Sequence, residues 1–400
     1  MGRGRIGAML AAATLVLAAC SGGAAPKGPD FSPQGSFPGD GYTPVPVGPI
    51  EPSTQPSQGS SPPSQGGSTP SPSPSTSSDP NVVATKLNSP VGLVVLPDAT
   101  ALVAERATGR IVRVQPKPGQ PVQTVRTLGG LSTAGDGGLL DLALSPTYAE
   151  DGLIFAYLTT ATDNRVVDFT LNGPVTPVFT GIPRGSSGNT GRITFGADGD
   201  LYVGTGDAGV PAQAADPASL AGKVLRITAI GTPAPGNPVT RSPIFASGVD
   251  DPDALCADPS STVVYESDTR DGVDSDPVNS IVAGASYGWP TPAASDHASL
   301  RLLPHTSRAP GGCTVDKSTL YVTSRDGQAL LSSPIRSAKS IGDFTPYLRQ
   351  RYGRLRTVVA AADGTLWLTT SNRDGHGKPI PDDERVLHIQ APTTGGTSPA

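Results

Sequence analysis

Charge is scarce in this chain of 400 residues. Only 16% of its residues are Asp, Glu, Lys or Arg, and the formal net charge is −5. No basic stripe is present to neutralise phosphates, so nothing favours a nucleic-acid partner. Hydrophobic residues make up only 36% of the chain, which speaks against a helical bundle. Beyond the N-terminus no apolar run is long enough to cross a membrane. Histidine occurs four times, scattered and without the spacing of metal ligands. Cysteine occurs three times, as Cys20, Cys256 and Cys313.

Glycine and proline are abundant, at 49 and 43 residues. That suits a turn-rich β fold joined to an unstructured segment. The N-terminus reads as a targeting segment. Arg3 and Arg5 precede an apolar stretch from Ile6 to Ala19, and small residues lead to Cys20. Leu17-Ala18-Ala19-Cys20 resembles a bacterial lipobox. This predicts a lipoprotein signal peptide over residues 1–19 and a lipidated Cys20. The mature chain is then expected on the extracytoplasmic face of the cell membrane, held there by its lipid. Residues 20–81 are dominated by Ser, Pro, Gly and Gln and form a disordered tether. Residues 391–400 read as a short disordered tail. Cys256 and Cys313 remain as a pair in an exported protein, and a disulfide is the default for such a pair.

Residues 82–390 contain a repeat. Six segments share an apolar strand, a turn rich in Asp, Gly or Pro, and a second strand ending near polar residues. They begin at Leu93, Leu142, Ile193, Leu255, Thr314 and Val358, at intervals of 49, 51, 62, 59 and 44 residues. Periods near 50 with paired strands mark a β-propeller, and six copies predict six blades. Asp198-Gly199 and Asp363-Gly364 fit hairpin turns. The longest interval contains AQAADPASLAGK, an excursion expected to hold a short helix.

The stretch GNTGRITFGADGDLYVGTGD from Gly188, with GDGGLLDLALSP from Gly135, GASYGWP from Gly284 and YGRLRTVVAAADGTLWLTTSNRDG from Tyr352, resembles the soluble glucose/sorbosone dehydrogenases. Among exported lipoproteins the likeness is to the mycobacterial LppZ type. The resemblance implies an all-β, six-bladed propeller that binds pyrroloquinoline quinone (PQQ), usually with calcium, on one face. PQQ carries three carboxylates, so its site needs cations, and sugar oxidation needs a base for the hydroxyl proton. The family's histidine base falls on Gly188. Its Arg-Asn pair falls on Asp250 and Asp251, and a cofactor-contacting lysine falls on Asp326. An Arg-x-Arg pair is kept as Arg354 and Arg356, and a second-blade Glu or Gln becomes Asp136. Asp136, Arg354 and Arg356 are thus the candidate cofactor-binding residues.

Exchanging a cation for a carboxylate beside an anion changes each interaction by on the order of 4 kcal/mol at ~4 Å and a dielectric of ~20. Two such exchanges, at Asp250 and Asp326, predict that a tricarboxylate no longer binds. The expectation is therefore a non-catalytic envelope lipoprotein without cofactor or metal, which binds a carbohydrate, an envelope component or a protein. The alternative is a PQQ- and calcium-dependent aldose dehydrogenase with a rearranged site. Other motifs carry less. Gly204 to Gly209 matches G-x-G-x-x-G, but Pro211 follows in place of a helix. Gly284 to Gly288 matches G-x-S-x-G, but Trp289-Pro290 prevents the helix a nucleophile elbow requires. Asp268, Asp271, Asp274 and Asp276 form an acidic loop expected to be solvated, although clustered carboxylates could also hold calcium.

Overall fold

A computed structural model describes residues 79–270, 272 and 276–392. Cys20, the signal segment, most of the tether and most of the tail lie outside the described residues, as do Asp271 and Asp274.

The described chain forms six antiparallel sheets, one for each sequence repeat. Blade 1 comprises Pro90–Val95, Ala101–Glu105, Arg110–Val114 and Gln123–Thr127. Blade 2 comprises Leu139–Leu144, Ile154–Thr159, Asn164–Phe169 and Val175–Ile182. Blade 3 comprises Gly191–Phe195, Leu201–Thr205, Lys223–Ile227 and Ile244–Ser247. Blade 4 is built from Asp251–Ala257, Val264–Thr269, Pro277–Ser280 and Arg301–Leu302. Blade 5 uses Pro310–Asp316, Thr319–Ser324 and Ala329–Ser337, with Ser340–Ile341 and Thr345–Tyr347 outside them. Blade 6 uses Leu355–Ala360, Thr365–Thr370 and Val386–Gln390, and its outermost strand is the N-terminal Val82–Ala84. Val82 pairs with Leu387, and so the two ends of the domain share one sheet. The first strand of each blade packs on the first strand of the next, and that of blade 6 returns to blade 1.

The turns form where the sequence places them. Gly199 and Gly364 sit at φ +79° and +81° in the tight connections of blades 3 and 6. The Asp363 carboxylate fixes its turn by accepting hydrogen bonds from the Thr365 backbone amide and hydroxyl. The excursion in blade 3 contains one helical turn, Ala212–Ala215.

The second strands do not alternate between buried and exposed positions. Ala101–Glu105, Ile154–Thr159, Leu201–Thr205 and Thr365–Thr370 are buried at every residue. Each blade is covered on both faces by its neighbours, so both sides of the pleat must be dry. An apolar cluster fills each interface. Leu102, Ile111, Leu142 and Phe169 lie between blades 1 and 2. Trp367 packs with Val83, Leu93 and Val103 where blade 6 meets blade 1. Between blades 4 and 5, Cys256 and Cys313 are disulfide-bonded with a Cα–Cα distance of 5.6 Å. A bond of this kind typically stabilises by about 2–4 kcal/mol.

Polar groups hold the axis. Arg192, on the first strand of blade 3, is 3% exposed. Its Nη1 donates to the Val91 carbonyl of blade 1 at 3.0 Å and faces Asp141 of blade 2 at 3.5 Å. Its Nε donates to the Asp253 carbonyl of blade 4 at 2.8 Å, and its Nη2 donates to the Gly311 carbonyl of blade 5. Blade 6 joins through the Thr357 hydroxyl, which donates to the same Val91 carbonyl. Gly311 has to be glycine, because a β-carbon there would stand 2.4 Å from the Arg356 carbonyl. Arg192→Leu leaves a buried carboxylate and several carbonyls without their donor. It should destabilise the domain by about 3–5 kcal/mol, measured by chemical denaturation. Loss of less than about 1 kcal/mol would mean that the axis does not depend on this contact.

Candidate functional site

The six inner strands surround an axial channel, and Arg192 borders a cavity on each side of it. One cavity, about 290 Å³, is lined largely by apolar side chains such as Leu142, Leu255 and Val358. The other, about 390 Å³, is lined by ionisable and hydroxyl groups. Its residues come mostly from the start of first strands and the end of second strands. Those positions place side chains at the mouth of the channel.

The polar cavity has two unlike walls. Blades 5, 6 and 1 supply Arg325, Arg356, Arg373 and Arg106 together with the carboxylates of Asp374 and Glu384, while blades 2 to 4 supply Asp136, Thr190 and Asp251 together with Arg192. Asp253 stands between the walls and is 4% exposed. Arg325 forms a short ion pair with it, and Arg356 Nη2 lies 3.5 Å from its Oδ1. Burial alone would raise the Asp253 carboxyl. Arg325, Arg356 and Arg192 together hold it below the usual carboxylate range.

Cation capacity remains beyond that carboxylate. Burial, and then the neighbouring Arg325, push the Arg356 guanidinium down to about 9, and its Nε has no partner among the described residues. Arg106 Nη1 donates only to the carbonyls of Gly135 and Gly137, at 3.1 and 3.0 Å. The Arg373 guanidinium donates to the carbonyls of Asp383 and Ile380, at 2.9 and 3.1 Å, and its backbone amide donates to the Glu384 carboxylate. Neither makes an ion pair among the described residues. On the opposite wall, Asp251 has a buried Oδ1 without a hydrogen-bond partner. Burial, and then the carboxylates of Asp253, Asp250 and Asp136, push it well above the usual carboxylate range.

The residues singled out from sequence divide between cavity and scaffold. Asp136 lines the cavity and accepts hydrogen bonds from the Asn189 amide at 3.2 Å and from Asn189 Nδ2 at 2.5 Å. Arg356 lines the cavity as well, whereas Arg354 does not. Arg354 is engaged by Asp326 at 2.7 Å and Asp374 at 2.8 Å. The expected cation deficit needs correcting. Asp250 is buried outside the cavity lining, and its amide donates to Asp268 Oδ1 at 2.9 Å. Asp326 lies on the far side of Arg354, and Arg325, one residue earlier, lines the cavity in its place. The acidic loop is corrected at its two described residues. Asp268 and Asp276 are both fully buried, held by Arg270 at 2.9 Å and by the Ala309 amide at 2.7 Å. Among the described residues no three His, Cys, Asp or Glu side chains are grouped to hold a metal ion.

Residues 87–379 match the profile of the Glucose / Sorbosone dehydrogenase family. The chain belongs to that family. It is 37% identical to the aldose sugar dehydrogenase of Streptomyces coelicolor, whose structure was solved in a PQQ-bound form. That match covers 77% of this chain and 96% of the other, with a TM-score of 0.72. It is also 30% identical over 258 residues to quinoprotein glucose dehydrogenase B of Acinetobacter calcoaceticus, covering 54% of this chain and 53% of that protein. Aldose sugar dehydrogenase YliI of Escherichia coli is 27% identical over 52% of this chain and 61% of its own length. The chain therefore matches between half and two thirds of the length of these two curated relatives.

Within the glucose/sorbosone dehydrogenase frame, residue 188 is the point of departure. Gly188 adopts φ +63°. A β-carbon there would stand 2.6 Å from the Gly209 amide, 2.7 Å from Asp207 Oδ1 and 2.9 Å from the Ala208 amide. Gly188 itself is absent from the cavity lining, which begins at Thr190. The turn at residues 207–209 closes over the backbone where a basic side chain would have to emerge. A β-carbon at residue 188 would therefore meet this turn and not open space. Gly188→Ala should destabilise the domain by roughly 1–3 kcal/mol through left-handed strain and contact with that turn. A thermal melt indistinguishable from the parent protein would show that the loop has room for a side chain.

Proposed function

We propose that this glucose/sorbosone dehydrogenase-type propeller binds a small carboxylated anion in its axial cavity and does not oxidise sugars by the family's histidine-base route. The observation that carries this reading is the wall of Arg325, Arg356, Arg373 and Arg106 in a cavity that Gly188, at the position where the family likeness puts the base, does not reach. The arginines suit carboxylates by charge and by fork geometry. Loss of a general base alone lowers a rate by roughly 10²–10⁴.

A second reading has specific support. The arginine wall suits the three carboxylates of PQQ, and the relative at 37% identity was solved with PQQ bound. In this reading the chain is a PQQ-dependent aldose dehydrogenase, with the cofactor's carboxylates on Arg325 and Arg356. The quinone would supply the oxidant, and residue 188 would supply no proton acceptor. Calorimetry with PQQ and calcium, followed by dye reduction over an aldose panel, separates the two readings. The expected result is no turnover above a no-enzyme control, with any anion binding lost in Arg356→Ala. Aldose-dependent turnover would overturn the first reading and establish the second.

The setting proposed for this activity is the extracytoplasmic face of the cell membrane. It rests on the sequence Leu17-Ala18-Ala19-Cys20 and the tether that follows. Cys20→Ala is expected to accumulate as an unprocessed precursor without lipid label. A variant that matures and enters detergent like its parent would refute the anchor.

A further inference from the structure

We propose that the polar cavity recognises a polyhydroxylated carboxylate, a sugar acid, with Arg356 and Arg325 on the charged end and Asp251 accepting a hydrogen bond from a ligand hydroxyl. This rests on the anion-binding reading above and adds the ligand class and the orientation. Both walls are needed for the argument. A cavity meant for a simple anion would lose affinity from Asp136 and Asp251, because each places a carboxylate near the bound charge. A cavity meant for a neutral sugar would not need four arginines on one side. Asp374 and Glu384 also line the blade 6 side, but Asp374 is paired with Arg354 and Glu384 accepts from Thr370 and the Asn372 and Arg373 amides, while Arg192 on the opposite side is committed to carbonyls. In balance blades 5, 6 and 1 are cationic and blades 2 to 4 acidic, which removes the conflict for a ligand with one charged end.

The acidic wall also carries a carboxylate without a full set of partners. Asp251 Oδ1 is buried and has no partner among the described residues. The Tyr157 hydroxyl, on a fully buried side chain packed beneath Gly191, has none either. Gly191 lines the cavity, and the tyrosine is pushed up by burial first and then by the carboxylates of Asp136, Asp163 and Asp251. Asp251 lines the cavity, so an acceptor without a partner stands at its wall, while Tyr157 lies behind the lining at Gly191. Buried polar groups without partners are uncommon, and a site built to bond a hydroxyl discriminates against analogues that lack one. A volume of about 390 Å³ falls within the range of small-molecule sites.

The test uses the full-length chain and three probes: D-gluconate, hexanoate and D-glucose. Gluconate and hexanoate share a six-carbon carboxylate and differ in hydroxyls, and glucose has hydroxyls without charge. Gluconate is expected to bind at least about tenfold more tightly than either, as one or two net hydrogen bonds allow. Asp251→Ala should bring gluconate down to the affinity of hexanoate and leave hexanoate unchanged. Asp251→Asn keeps an acceptor oxygen of the same size and should retain most of the preference. Arg356→Ala should weaken gluconate and hexanoate alike. Equal binding of gluconate and hexanoate by the parent protein, or a preference that survives in Asp251→Ala, would overturn this assignment while leaving an anion cavity in place. If neither carboxylate binds, the anion-cavity reading fails and takes this inference with it.

Discussion

One guanidinium ties the inner strands together. A propeller places the first strand of every blade against a common axis, where backbone carbonyls converge and no ladder partner exists to satisfy them. Arg192 occupies that axis and reaches blades 1, 2, 4 and 5 from its own place on blade 3. Its five donors in a planar fork are matched to several acceptors arriving from different directions, which a lysine ammonium on a flexible stem would not be. Burial pushes Asp141 above the usual carboxylate range, against the pull of Arg192. The contact is thus one of geometry as much as charge. The Arg192 side chain lines both cavities, the polar one on one side and the other beyond it.

The architecture was legible in the sequence because a propeller repeats its own grammar. Apolar strand, acidic-glycine turn and second strand recur six times, and each copy became the central hairpin of one blade. The blade closure was not legible in the same way. Val82–Ala84 is three residues long and lacks a repeat of its own, so its place in blade 6 depends on a partner some 300 residues away. The site was legible only in part. Arg356 and Asp136 were found through the family likeness. Arg325 was missed by one position, since neighbouring residues at a strand end project to opposite sides. A signal for it existed. Arg106, Arg270 and Arg325 each stand immediately after the second strand of their blade, so superposing the repeats would have picked them out together. Arg270 turns away to Asp268 and the Tyr287 carbonyl, a distinction that sequence does not carry.

The charge argument from sequence treated substitutions singly, and the structure shows why that misleads. Asp250 and Asp326 looked like reversals of cationic positions, yet Asp250 is buried and Asp326 is exposed beside Arg354, both away from the cavity lining. Asp253, drawn into the cavity, is offset by three arginines. The feature that stands out beside the cavity is the close packing of the backbone at residue 188 against residues 207–209, which leaves no room for a side chain.

The shared sheet of blade 6 has a consequence for how the domain comes into being. The ring is a closed loop whose clasp is made of its first and last strands, so no intermediate with one end missing can be complete. During synthesis, blades 1 to 5 are available long before Val386–Gln390 emerges, and until then both the Val82–Ala84 strand and the faces flanking the gap stay without cover. Such a contact has very high sequence separation, which slows folding, and it leaves exposed edges prone to misassociation while it is pending. Once made, the same clasp means that the domain cannot fray blade by blade from a terminus, because each end is held by the other.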